Sequence, residues 1–350
     1  MNTSTRLAVL FLLAIFATEG AAATFCVSDG DELRTALITA SNNGEDDTIR
    51  VRGGDFTVSS GTIAFAYSTS EPNDLTIEGG WQAFNDNCLL RINDAELTRL
   101  SGNNARPVLS LYGLPGAGDI TVSNLTIENG QYNNGPGGAH IGGSAGYLGD
   151  ISIHHVVFRN NTGTIGGAVV AGVDGGRLEF VNNLIYGNSC NNAYCAASLT
   201  ANDPSNTGTF RAELLGNTIV ANFCTGGCLV DGLRIGGSAI VRIANNLFSG
   251  HANDLHIDSQ HHLLSNNVVH VTGVAPITAT GNVALVNPGF INAAHHNYRL
   301  HPGSPLVDFI NVVVLPLPSL DLDGNPRVHN SFVDLGAYES QSNLFRNGFE

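Results

Sequence analysis

Short apolar segments, each opened by a polar residue, recur at a near-constant interval through the middle of the chain. Asn124-Leu-Thr-Ile, His155-Val-Val-Phe, Asn183-Leu-Ile-Tyr, Asn217-Thr-Ile-Val and Asn246-Leu-Phe-Ser are separated by 31, 28, 34 and 29 residues, and a weaker copy starts 21 residues later at Asn267. Five positions after the first five openings stand Asn129, Asn160, Asn188, Asn222 and His251. A second strand-like segment precedes each one: Asp119-Ile-Thr-Val, Asp150-Ile-Ser-Ile, Arg177-Leu-Glu-Phe, Phe210-Arg-Ala-Glu and Ile240-Val-Arg-Ile. A unit of this size cannot bury a core of its own, so the units must stack. Gly-rich stretches such as Gly135-Pro136-Gly137-Gly138 and Gly166-Gly167 return the chain between strands. Stacking sets each strand parallel to the next at about 4.8 Å, with like residues above one another. Asn suits the bends because it tolerates left-handed backbone, and stacked amides bond along a ladder. The pattern predicts an all-β parallel β-helix. The Leu-x-x-Leu-x-Leu grammar of leucine-rich repeats is absent, and there are few of the tight-turn signals a propeller requires.

A solenoid leaves unpaired strand edges at its ends, which must be covered. Ser28-Asp29-Gly30-Asp31 reads as a capping-box start, and Glu32 to Ala40 as an amphipathic helix stopping at Asn42-Asn43-Gly44. This helix is expected to plug the N-terminal end, with Thr48-Ile-Arg-Val51 as the first rung strand. After about residue 285 the repeat gives way to a proline-richer region, 286–340, expected to wrap the last rung irregularly, followed by a tail at 341–350.

Composition agrees with this. The chain of 350 residues has 42 Gly and 38 Asn but only 13% charged residues, half the usual share, and it contains no Lys. The apolar fraction of 43% argues against disorder, and the net charge of −15 argues against nucleic acid as a partner.

The first 23 residues read as an export signal. Arg6 is followed by the apolar run Leu7–Ala17 and by Ala21-Ala22-Ala23 as a small-residue cleavage site. No later stretch is long enough to form a transmembrane helix, so a secreted or cell-envelope location is expected. Export favours disulfides for Cys26, Cys88, Cys190, Cys195, Cys224 and Cys228, although the spacing of the last four also fits a zinc site. Cys26 with Cys88 is the natural N-terminal pair. By the repeat, Cys190 stacks on Cys224; a bond between these rungs, or the local pairs 190 with 195 and 224 with 228, would satisfy the spacing.

The C-terminal region carries Asn287-Pro-Gly-Phe, Tyr298-Arg-Leu-His-Pro-Gly-Ser-Pro, Asp321-Leu-Asp-Gly-Asn-Pro-Arg and Asp334-Leu-Gly-Ala-Tyr-Glu. With Leu75-Thr-Ile-Glu-Gly-Gly-Trp81, these motifs resemble bacterial exported right-handed β-helix repeat proteins of the pectin-lyase-like superfamily that end in a choice-of-anchor Q-like region. The resemblance covers nearly all of residues 24–340. It implies a right-handed solenoid and a surface or secreted location more firmly than it implies any chemistry.

Candidate chemistry is sparse. Asp119 and Asp150 hold equivalent strand-start positions and would stack as a carboxylate pair, although Asp after Gly also reads as a turn residue. The motif sets of polygalacturonases and pectate lyases are absent. Asp321 and Asp323 could hold Ca2+, but Gly324 sits too early for an EF-hand loop. The other reading is a tight turn in which Arg327 pairs with Asp334 or Glu339. The His doublets at 154–155, 261–262 and 295–296 point to opposite faces of a strand and so make poor metal sites. Tyr132, Tyr147 and Tyr194 offer rings for sugar stacking or for loop packing. The expected function is therefore non-catalytic: a β-helix presenting loops for adhesion or for binding a polysaccharide or cell-surface glycan. The alternatives are a polysaccharide lyase or glycoside hydrolase, and a purely structural envelope protein. No cofactor is expected, with Ca2+ at Asp321 and Asp323 as the alternative.

Overall fold

The computed structural model describes residues 22–84, 87–284, 287–311, 317–329 and 331–341. The charged and apolar parts of the expected export signal, and the tail after 341, lie outside the described residues.

The chain winds into a parallel β-helix with three faces per rung. The first face is built by segments such as Ile120–Ser123 and Leu178–Val181, the second by segments such as Leu184–Tyr186 and Thr218–Val220. Strands Ile120–Glu128 and Ile151–Arg159 run through the corner between these faces, so both merge into one 16-stranded sheet. The return segments, read in sequence as loops, form a third face of 8 strands that includes Ala139–Gly143, Val169–Asp174 and Ala197–Asn202.

Alternation drives the packing. On the first face Ile49, Ile77, Val122, Ile153, Phe180, Leu214, Ile243 and Leu264 stand in register, all pointing inward and all buried. Tyr67, Leu111, Ile141, Ala171, Leu199, Ile235 and Ile257 form the matching column on the third face. Every residue added to a column buries apolar area against its neighbours above and below, which stabilises the stack by about 25 cal/mol per Å².

The Asn residues occupy two adjacent columns, not one. The left-handed corner residues are Asn124 (φ 55°), His155 (φ 55°), Asn182 (φ 51°), Asn245 (φ 61°) and Asn266 (φ 50°), with Gly216 (φ 62°) completing the set. From the third rung onward the sequence markers Asn183, Asn217, Asn246 and Asn267 sit one residue later, where the side chain turns inward. There each amide donates to the next: Asn183 Nδ2 to Asn217 Oδ1 at 3.1 Å, Asn217 to Asn246 at 2.8 Å, Asn246 to Asn267 at 2.9 Å and Asn267 to Asn282 at 2.8 Å. A second ladder runs Asn161, Asn188, Asn222, and ends on His251 Nε2 at 3.3 Å. The sequence period does not separate these columns, because one residue type serves both purposes.

At the N-terminal end, the helix Gly30–Ala40 buries Leu33, Ala36, Leu37 and Ala40 over the first rung. Asp29 caps it, accepting from the backbone N–H of Asp31 and Glu32, and Glu32 reaches back to the Ser28 N–H at 2.7 Å. The first strand is Ala23–Val27, paired in parallel with Asp47–Arg52, so the solenoid begins one strand earlier than Thr48. Cys26 in that strand is bonded to Cys88. Cys190 stands in register with Cys224, as the repeat requires, but the bonds are the local ones, Cys190–Cys195 and Cys224–Cys228.

Among the described residues, the C-terminal region does not cover the end strand as an irregular wrap. The end strand Thr278–Thr280 is fully exposed and, among the described residues, no strand pairs with its outer edge. The chain instead doubles back along the flank. Tyr298, Leu322, Ala337 and Tyr338 pack on Val157, Leu184, Tyr186 and Val220, while Leu306, Val333 and Leu335 pack on Leu247 and Val268. These second-face residues point outward yet are apolar, which creates the surface the flank segment must cover.

Candidate functional site

Turning back along the flank carries residues 317–321 across the outside of the first face, where they roof a groove of about 610 Å³. Strand alternation decides what the floor presents. One outward column reads Thr121, Ser152, Glu179, Glu213, Arg242 and its neighbour reads Ser123, His154, Val181, Leu215, Ala244. The second column turns apolar after His154, and Leu317 packs onto Val181, Leu215 and Ala244. The roof therefore covers the apolar half and leaves Thr121, Ser152 and Glu179 half-exposed, while Glu213 is buried beneath its arginine partners.

Arginines organise that polar column. Arg177 Nη2 meets Glu213 Oε2 at 2.5 Å and Arg177 Nε lies 3.4 Å from Glu179 Oε1. Arg242 Nη1 holds the other oxygen of Glu213 at 2.6 Å, with its guanidinium 4.6 Å from the centre of the Phe210 ring. At the far end Arg91 pairs with Glu78 at 3.1 Å and donates to Ser123 Oγ at 3.1 Å. Burial pushes the Arg91 pKa down, against the attraction of Glu78.

The two histidines at the groove form a directed chain. His155 Nε2 lies 3.1 Å from the Leu320 carbonyl, which can only accept, so that nitrogen carries the proton. His155 Nδ1 must then accept from His154 Nδ1 at 3.0 Å, leaving His154 Nε2 as an acceptor. Burial, followed by the neighbouring His155 and Arg91, pushes the His154 pKa down to about 4. Burial lowers His155 as well. Both rings are neutral at ambient pH, as the chain of bonds requires.

The residues singled out in sequence are dispersed. Asp119 and Asp150 are exposed capping residues: Asp119 Oδ1 accepts the Asp150 N–H at 2.7 Å, and Asp150 Oδ1 accepts that of Arg177 at 2.7 Å. They continue a ladder in which Asp74 Oδ1 receives the Asp119 N–H at 2.8 Å. The two line a smaller recess of about 180 Å³ beside the groove and share it with Arg177 and Glu179. Tyr147 cannot stack on a sugar, because it is fully buried in the main core with its hydroxyl donating to the Gly118 carbonyl at 3.0 Å. Tyr132 is exposed in a loop. The Tyr194 ring stacks on His256 at 6.1 Å, with the Arg234 guanidinium 5.6 Å from its centre. Neither of these two lines the groove.

Asp321 and Asp323 are bound by the protein itself. Buried Asp321 accepts N–H bonds from Asp323, Asn325 and Glu339 at 3.0, 2.7 and 2.7 Å. Asp323 forms a two-pronged pair with Arg299 at 2.6 and 2.5 Å. The tight-turn reading describes this segment: Arg327, fully buried, lies 3.8 Å from Glu339 and donates to the carbonyls of Asp334 and Gly336.

Glu179, Glu213, Arg177 and His154 were missed as a group. Their outward placement was implicit in Arg177-Leu-Glu-Phe and Phe210-Arg-Ala-Glu, where Leu and Phe, or Ala and Leu, take the inward positions. The roof at 317–321 had no local signal.

Comparison of the chain with protein-family models, with curated proteins and with solved structures finds no match. Among the described residues, no helix is long and apolar enough to cross a membrane. The three disulfides fit an oxidising environment of the kind met by exported proteins.

Proposed function

We propose that this protein is an exported β-helix, secreted or held at the cell envelope, that binds a polysaccharide or cell-surface glycan in the groove beneath residues 317–321. The observation that supports this reading is the polar floor of Ser152 and Glu179, continued by Thr121 in the adjoining recess and by buried Glu213, organised by Arg177 and lying beside the apolar roof of Leu317 and Pro318. Hydroxyl-rich ligands need dense donors and acceptors beside a few apolar contacts for their C–H faces. The C-terminal motifs from Asn287 to Glu339, which resemble a choice-of-anchor Q-like region of the pectin-lyase-like superfamily, agree with such a surface role.

A lyase or hydrolase is the second reading, and one feature favours it. Glu179 and Glu213 are in-register neighbours on adjacent rungs, both lining the groove. Retaining glycosidases use two carboxylates about 5–5.5 Å apart. Here both carboxylates pair with Arg177, and Glu213 pairs with Arg242 as well, which suits ligand orientation better than proton transfer.

The test is a glycan array probed with the protein, alongside reducing-sugar and uronate release from the same polysaccharides with and without Ca2+. Binding without release supports the proposal. Release that is lost in Glu213→Gln establishes the enzyme reading instead.

A further inference from the structure

Cys190 and Cys195 lie on one rung of a three-stranded side sheet, and Cys224 and Cys228 lie on the next. The two disulfides are thus stacked. Cys228 Sγ is 3.5 Å from Cys190 Sγ and 3.3 Å from Cys195 Sγ, across the pairs and not within them. The sulfurs of Cys190, Cys195 and Cys228 fall within 4.8 Å of one another, and those of Cys195 and Cys224 do the same with a carboxylate oxygen of Asp231. Four thiolates at about 2.3 Å from a zinc ion define a tetrahedron with edges of about 3.8 Å. The two separations from Cys228 are already close to that edge, and Cys195 and Cys224 lie within 4.8 Å of one another.

We propose that this cluster is a redox-gated metal site, two disulfides when oxidised and a four-thiolate Zn2+ centre when reduced. It stands apart from the groove and does not depend on the ligand proposed there.

Access explains how both bonds can open. Cys190 and Cys195 are buried, but Cys224 and Cys228 are half-buried on a strand whose Phe223, Thr225, Gly226 and Gly227 are exposed. A dithiol reductant attacks Cys224 Sγ, and Cys228 leaves as a thiolate. The second thiol of the reductant then releases Cys224 and closes the reductant into its own disulfide, so two electrons pass to the protein. Cys228 is now placed to attack Cys195 Sγ, forming Cys195–Cys228 and freeing Cys190 as a thiolate. A second equivalent of dithiol opens that bond. Binding of Zn2+ to the four sulfurs displaces the thiol protons, and soft sulfur donors in tetrahedral array select zinc over calcium or magnesium.

The test uses the full chain and a water-soluble phosphine, each disulfide consuming one phosphine and one water to give two thiols and the phosphine oxide. Co2+ is then titrated in as the spectroscopic probe. The expected result is uptake of one Co2+ per chain, with sulfur-to-cobalt charge transfer and the visible bands of a tetrahedral site, followed by displacement by Zn2+. The far-ultraviolet β signal should be retained. Cys190→Ser and Cys224→Ser should each weaken cobalt binding at least tenfold, whereas the double variant Cys26→Ser/Cys88→Ser should keep it. Three results would overturn the proposal: no cobalt uptake by folded reduced protein, uptake indifferent to Cys190→Ser and Cys224→Ser, or loss of the β signal on reduction.

Discussion

Asn188 Nδ2 donates to Asn222 Oδ1 at 3.0 Å, and the backbone N–H of Asn188 meets the same oxygen at 3.1 Å. One side-chain oxygen thus satisfies two donors of the rung before it, in a place no water reaches. Asn222→Ala strands the Asn188 backbone N–H in the core, whereas Asn188 Nδ2 keeps the Phe158 and Tyr186 carbonyls as acceptors; the unsatisfied group costs about 1–3 kcal/mol. A loss of about 1–3 kcal/mol in chemical denaturation is expected, against less than about 0.5 kcal/mol for Asn133→Ala in an exposed loop.

The flank segment should weaken as pH rises from acid values to about 8. Burial, together with the neighbouring Asp334, pushes the Glu339 pKa from 4.5 up to about 8, while Arg327 opposes the shift. Between those values the folded state keeps a proton that the unfolded chain has lost. Stability contributed by Glu339 is therefore full below about pH 4.5 and is lost as pH rises through about 8. Burial also raises Asp321 and Asp334, which adds to the same trend. Thermal melts across this range should fall with pH, and Glu339→Gln should flatten the slope.

His154 works in the opposite sense. Its pKa of about 4 lies below the ordinary 6.5, so the unfolded chain binds the proton first as pH falls. Its contribution is complete above about pH 6.5 and disappears on the way down to about 4. An NMR titration should find the His154 ring neutral at pH 6 with a midpoint near 4; a midpoint above 6 would refute the buried, neutral histidine chain.

Cys26–Cys88 closes a long loop, with a sequence separation of 62, and joins the first strand to the strand Asn87–Arg91. Loop-closure entropy puts its contribution at about 4 kcal/mol, against roughly 2 kcal/mol for the short Cys190–Cys195 loop. Cys26→Ser/Cys88→Ser should therefore lower the midpoint of unfolding about twice as far as Cys190→Ser/Cys195→Ser.

The sequence disclosed the rungs because stacking forces like residues into columns, and columns appear along a chain as a period. Asn217 and Asn246 were visible for that reason, and so was the register of Cys190 over Cys224. The helix Gly30–Ala40 was visible because capping is local. The groove was not, because it depends on contacts between positions far apart in the chain: Leu317 meets Val181, and the Leu320 carbonyl meets His155, 165 residues away. Outward apolar residues such as Val157 and Val220 were the one trace of the returning flank, since an exposed apolar column needs a cover. Asp119 and Asp150 carried two readings in the sequence, turn residue and catalytic pair, because a capping carboxylate and a catalytic one look alike until their partners are known; their partners are backbone N–H groups.

Ligand binding in the groove is the central claim, and titration calorimetry with the best oligosaccharide from the glycan array tests it most directly. Ser152 lies between Thr121 and Glu179 in the half-exposed part of the polar column, so Ser152→Trp fills the groove without touching the core. The wild-type protein should bind with measurable heat, Ser152→Trp should lose at least tenfold in affinity, and Tyr132→Ala should bind as the wild type does. Undiminished binding by Ser152→Trp, binding abolished by Tyr132→Ala, or no glycan bound at all would contradict it.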